Sequence, residues 1–100
     1  MIKILLCCAS GMSTSLLVEK MKRAAAKQSV EAEIWAVNAE NTDLKAVEAD
    51  IIFLGPQVRY AQDEIQETVG SIPVYMIGMK DYGMMNGKAV LDHVRKVLEG

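Results

Sequence analysis

Four short runs rich in aliphatic and β-branched residues, Ile2 to Cys7, Ala32 to Val37, Ile51 to Leu54 and Val74 to Ile77, alternate with stretches of helical period. No other feature constrains the fold as much. Near-continuous apolar runs are what strands buried on both faces require, and strands in series with helices give parallel sheets. Right-handed crossovers and doubly wound connectivity predict an α/β fold: a single four-stranded parallel sheet, order 2-1-3-4, with helices on both faces. One hundred residues can bury one core but not two, so residues 1–100 are read as one domain, without linker or repeat.

The first helix is expected from about Thr14 to Lys27, with Leu17, Met21, Ala24 and Ala25 inward and Glu19, Lys20, Lys22, Arg23 and Lys27 mostly outward. A weaker second helix is expected near Thr42 to Ala49. A third is expected from about Gln57 to Val69, with Pro56 suited to its start. The last begins near Asn86-Gly87 and aligns Val90, Leu91, Val94, Val97 and Leu98 in one stripe.

In the predicted order the first and third strands are neighbours, and the chain leaves them in opposite directions. Open α/β sheets bind ligands in the crevice this creates. Three loops reach that rim: Cys8 to Ser15, Gly55-Pro56-Gln57, and the turn-like Lys80-Asp-Tyr-Gly83. The first carries the chemistry. A strand that ends on a thiol is followed by Ala9, Ser10, Gly11, Met12, Ser13, Thr14 and Ser15, and then by a helix. Small residues at a helix N-terminus turn free backbone N–H groups toward one point, which suits a phosphate dianion. The same positive helix end favours a thiolate at Cys8, so nucleophile and phosphate site coincide. Strand alternation sends Cys7 into a sheet–helix core as an apolar filler.

With 51% apolar residues and a formal net charge of −2, the chain has no basic excess, and nucleic acid is not an expected partner. Two adjacent cysteines give neither a disulfide framework nor a C-x-x-C redox motif, and the first strand begins directly after Met1. A reducing cytoplasm is the expected location. No apolar run approaches the roughly 20 residues needed to span a bilayer, so any membrane link runs through a partner.

The run Cys8-Ala-Ser-Gly-Met-Ser-Thr-Ser-Leu-Leu-Val-Glu-Lys-Met21 resembles the phosphocysteine loop and first helix of the enzyme IIB component of the lactose/cellobiose class of the bacterial phosphoenolpyruvate-dependent sugar phosphotransferase system. The resemblance extends to Leu54-Gly-Pro-Gln-Val-Arg-Tyr60 and to Tyr82-Gly83. It implies a cytoplasmic phosphocarrier that takes phosphate from a histidine of IIA onto Cys8. The phosphate then passes to a β-linked disaccharide held by membrane-embedded IIC. No metal and no cofactor are expected, and a small globule that exposes its rim to two partners is expected to be monomeric.

The loop position is also similar to that of the low-molecular-weight tyrosine phosphatases, whose C-x5-R-S/T loop follows the first strand. Counting from Cys8, Thr14 stands where their arginine would be. A threonine cannot supply the cationic fork that binds phosphoryl oxygens and stabilises the transition state, which argues against a hydrolase. The alternative of another class is a regulatory module that has kept the fold and lost the chemistry. Asp81 is read as a solvated turn residue. Gln57, Arg59, Tyr60, Tyr82 and Met84 are candidates for rim or partner contacts, and Met12 with Met84 and Met85 suggests an adaptable docking surface. His93, the only histidine, flanks the last helix's apolar stripe and is expected at the surface. Trp35 is read as core or edge packing.

Overall fold

The computed structural model describes residues 1–8, 11–38, 43 and 47–99, with side chains omitted at 11–14, 57, 59 and 99. β1 spans Ile2–Cys8, α1 Gly11–Lys27, β2 Ala32–Asn38 and β3 Ile51–Leu54. A 3-10 helix, Pro56–Ala61, leads into α2, Gln62–Val69. β4, Val74–Met76, α3, Met79–Gly83, and α4, Gly87–Glu99, complete the order.

The strands form one parallel sheet in the order β2-β1-β3-β4, as the rhythm of the sequence predicts. Register aligns Ile4 with Ile51 and Leu6 with Phe53, so the two central strands present alternate residues to each face together. Ile4, Leu6, Ile51 and Phe53 pack against Leu17, Met21 and Ala25 of α1 and Val90, Leu91 and Val94 of α4. Leu5, Cys7, Ile52 and Leu54 face the other way, against Val58 and Ile65. α1 and α4 therefore cover one side, and the 3-10 helix with α2 covers the other.

Local choices differ from the sequence reading in five places. α1 starts at Gly11 rather than Thr14, so the loop after the thiol is short. The third helix is split: Val58, at φ −116° and ψ 18°, breaks the helical dihedrals, and regular α-helix begins only at Gln62. Of the second predicted helix, Val47 to Asp50 are not helical, and Thr42 and residues 44–46 lie outside the described residues. Lys80-Asp-Tyr-Gly83 is part of the five-residue α3, not an open turn, and Tyr82 is thereby seated in the core. Leu98, placed in the α4 stripe by its spacing, is 38% exposed, whereas Val90, Leu91 and Val94 are buried.

Side chains fix several junctions. Asn86 Oδ1 accepts from the Ala89 N–H at 3.1 Å, capping α4 as its position before Gly87 predicts, a contact worth about 1 kcal/mol. Gln66, which the sequence reading passed over, donates to the Ile72 carbonyl at 2.8 Å and accepts from the Val74 N–H at 3.2 Å. It thereby ties α2 to the start of β4. His93 is half-buried, edge-on to Phe53 at 5.3 Å and to Tyr75 at 5.0 Å. Trp35 packs on the Leu5 and Cys7 face of edge strand β2.

Candidate functional site

β1 is paired on both sides, with β2 along its whole length and with β3 from Ile4 to Cys7. Its last residue is Cys8, and α1 begins three positions later. The Gly55 N–H donates to the Cys7 carbonyl at 2.9 Å, extending the ladder past β3 and setting the Gly55-Pro56-Gln57 segment beside the thiol strand. From there α1 departs over one face and the 3-10 helix over the other. The topological switch point predicted from the strand order is therefore present, with Cys8 at the end of the strand beside it.

Both thiols are reduced and closed off from solvent. Cys7 belongs to the apolar cluster beneath α2, as alternation predicts. Burial, with a smaller contribution from the neighbouring Cys8, pushes its thiol up to about 11. An inert filler behaves this way, and the consequence is measurable. Below pH 9 the thiol is protonated in the folded and unfolded chains alike and its stabilisation is fully present. As pH rises toward 11 the unfolded thiol ionises first, and about 2 to 3 kcal/mol of stability is lost. Urea midpoints taken from about pH 8.5 to about pH 10.5 should fall further for the native chain than for Cys7→Ala; equal falls would show that Cys7 titrates normally.

Cys8 lies on the opposite face of the strand, and its Sγ donates to the Val37 carbonyl of β2 at 3.9 Å. Its complete burial is not what a position at the mouth of a cradle suggests. Of the residues read as the phosphate loop, Ala9 and Ser10 lie outside the described residues. Gly11, Met12, Ser13, Thr14 and Ser15 form the first turns of α1, so their backbone stands at the positive end of a 17-residue helix. Ser15 is exposed.

The other candidates separate. Tyr60 is 75% exposed beside the third-strand exit, and the backbone of Gln57 and Arg59 lies in the same 3-10 turn. Tyr82 is in the core rather than on the surface, among the residues under α1 and α4. Met84 is 66% exposed and lies beside the C-terminal half of α1 with Lys20 and Lys27, whereas Met85 packs against the core. Leu16, Met76 and Met79 are exposed near the same end of the sheet and were missed by the sequence reading. Helical period alone could have flagged Leu16, which is out of step with the buried Leu17 and Met21. No group of three or more histidine, cysteine or acidic side chains among the described residues could hold a metal ion. No described helix is long and apolar enough to cross a membrane.

Comparison with known proteins agrees with this geometry. The profile described as "PTS system, Lactose/Cellobiose specific IIB subunit" matches residues 3–93. The oligo-beta-mannoside-specific EIIB component of Bacillus subtilis (strain 168) is 42% identical over 98 residues, covering 96% of this chain and 95% of that protein. The cellobiose-specific EIIB component of Lactococcus lactis subsp. lactis (strain IL1403) is 41% identical over 95 residues, covering 88% of each. Among solved structures, the cellobiose-specific IIB component from Borrelia burgdorferi superposes with a TM-score of 0.71 at 34% identity, covering 91% of this chain and 85% of that one. The lactose-specific IIB domain from Streptococcus pneumoniae gives the same TM-score of 0.71 at 24% identity, covering 95% of each, a likeness of fold. With its sheet order, its thiol at the end of β1 and a match over most of its length, the chain belongs to the lactose/cellobiose-specific IIB subunit family of the sugar phosphotransferase system.

Proposed function

We propose that this chain is a cytoplasmic phosphocarrier that receives a phosphoryl group from a histidine of a IIA protein on Cys8 and delivers it to a sugar held by a membrane IIC protein. The observation that carries the reading is the position of Cys8, the last residue of central strand β1, three positions before the start of α1 and beside the exit of β3. The Cys8 thiolate attacks phosphorus in line, an S–P bond forms as the P–N bond of phosphohistidine breaks, and the thiol proton ends on the departing imidazole. Backbone N–H groups and hydroxyls of residues 9–15 gather the phosphoryl oxygens. In the second step a sugar hydroxyl attacks the same phosphorus, an O–P bond replaces the S–P bond, and the hydroxyl proton is passed to a base on the IIC side.

Thr14 in place of a cationic fork suits a carrier. Strong stabilisation within the chain, together with a placed water, would spend the phosphoryl group on hydrolysis, so donor and acceptor proteins complete each transition state. The relatives are named for oligo-beta-mannoside and cellobiose, which supports a β-linked oligosaccharide as the cargo.

Phosphorus NMR after incubation with phosphoenolpyruvate, the general phosphotransferase proteins and IIA tests the reading. A thiophosphate signal is expected. A chain that bound IIA and never took phosphate would be a regulatory module, and turnover of an aryl phosphate would make it a hydrolase. Met12 lies in the first turn of α1, where a docking partner must approach. Met12→Asp is expected to slow transfer from IIA by roughly tenfold, about 1.4 kcal/mol of transition-state contact, with an unaltered circular dichroism spectrum. Unchanged transfer would remove Met12 from the contact.

A further inference from the structure

A groove of about 460 Å³ runs between the C-terminal half of α1 and the turn joining α3 to α4. Lys20, Arg23 and Lys27 line it from α1, and Lys88 lines it from α4, with Met84 and Asn86 between them. Four of the chain's eleven cationic side chains thus meet at one concavity, and no carboxylate among the described residues lines it, although the formal net charge is −2. Among the described residues, Lys20, Arg23 and Lys27 have no carboxylate within 4.0 Å.

This clustering is not what helix stability would select. Like charges at i,i+3 and i,i+4 oppose helix formation, and Lys20, Arg23 and Lys27 stand in both relations. The dipole at the C-terminus accounts for Lys27, which sits in the last turn, but not for Lys20 or Arg23. The walls are fixed. Gly87 packs so closely on α1 that an added Cβ would fall 2.5 Å from the Lys20 carbonyl carbon. Lys88 is held at 3.0 Å from Asp92, which accepts from Gln28 at 3.3 Å, while Arg95 donates to Gln28 at 2.8 Å. Those contacts bridge α4 to the chain just beyond α1. Met85, at φ +52° in the left-handed region, turns the backbone so that Asn86 enters the groove. Asn86 Oδ1 is committed to the cap, which leaves its amide nitrogen as a neutral donor.

We propose that this groove binds a small metabolite carrying anionic groups, phosphate or carboxylate, at both ends. The volume falls among those of small-molecule clefts. Lys20 and Lys27 lie roughly 10 Å apart along the helix axis, which fits two separated anionic groups rather than one. Lys20 is also about 14 Å along α1 from Gly11, so the groove is distinct from the thiol site.

The test is a titration of the full ¹⁵N-labelled chain, at low salt, with hexane-1,6-diyl bisphosphate and separately with inorganic phosphate. The bisphosphate should shift the amide signals of Lys20, Arg23, Lys27, Gly87 and Lys88 and bind at least about tenfold more tightly than phosphate. Lys20→Gln combined with Lys27→Gln should weaken it by about tenfold or more, and Arg23→Gln alone by about threefold, each with an unaltered far-ultraviolet spectrum. Shifts confined to residues 8–15 would assign the anion to the thiol loop and overturn the proposal. So would equal affinity for the two anions, or unchanged binding in the double variant. Tighter binding of hexaglutamate than of the bisphosphate at these same residues would make the groove a surface for an acidic protein and would equally overturn it.

Discussion

Cys8→Ser is expected to abolish phosphate labelling from phosphorylated IIA, whereas Cys7→Ser retains it. The two thiols are adjacent and equally buried, so composition and exposure do not separate them. Direction does. Cys7 points into the apolar cluster below α2, with its thiol pushed up to about 11 by burial, and nothing in that cluster could deliver a phosphoryl group. Cys8 is on the other face at the strand end, with the N-terminus of α1 next in the chain. A serine hydroxyl ionises far less readily than a thiol, so the nucleophile is lost even where the shape is kept. Cys7→Ser carries its own signature, a loss of roughly 1 to 3 kcal/mol from placing a hydroxyl among aliphatic side chains. Labelling of Cys8→Ser at the native rate would sink the mechanism, and loss of labelling in a folded Cys7→Ser would reassign the carrier.

Gly87→Ala should be the most damaging single-methyl addition among Gly70, Gly78, Gly83 and Gly87. Its new Cβ would meet the Lys20 carbonyl carbon and the Met21 nitrogen at 2.5 Å and the Lys20 Cβ at 2.8 Å. Two of these are backbone atoms within α1 and cannot rotate aside. Ordinary carbon contacts begin near 3.5 Å, so α1 and α4 must part by about 1 Å where they pack most closely. We expect a loss of roughly 3 kcal/mol, at the upper end of overpacking costs, and a fall in Tm on the order of 15 °C. Gly83→Ala is the control, because its methyl would meet nothing within 4 Å and the change also restricts the unfolded chain. A Tm for Gly87→Ala within a degree or two of that control would show that the helices separate freely.

The strand order and the faces of α1 and α4 were legible because each rests on a repeating pattern, alternation in β1 and β3 and a 3.6-residue stripe through Leu17, Met21, Val90, Leu91 and Val94. Boundaries were less so. Ser13 and Thr14 resemble caps, and that pulled the expected start of α1 past Gly11. At five residues α3 is too short for any period, and only the burial of Tyr82 gives it a reason to form. Val58 breaks a helix whose apolar spacing reads as continuous, because its burial against β1 and β3 takes precedence over regular dihedrals. At the site, the thiol and its place at the strand end could be read from the first residues. Its contact with the Val37 carbonyl could not, since that group is 29 positions away on a neighbouring strand. The cationic groove was hidden for the same reason, as Lys88 joins Lys20, Arg23 and Lys27 only through tertiary packing.

The double pairing of β1 also determines how the thiol can be reached. Backbone amides of Leu5 to Cys7 lie in a strand with hydrogen-bonded neighbours on each side and no edge of its own. Such amides exchange with solvent deuterium only when the whole domain unfolds. Fraying from the strand end is therefore stopped at Cys7, and Cys8, paired with β2 alone, lies just beyond the part that both neighbours hold. Exchange of the Leu5 to Cys7 amides therefore reports unfolding of the whole domain, and a change at Cys8 that leaves that exchange unaltered is local to the strand end.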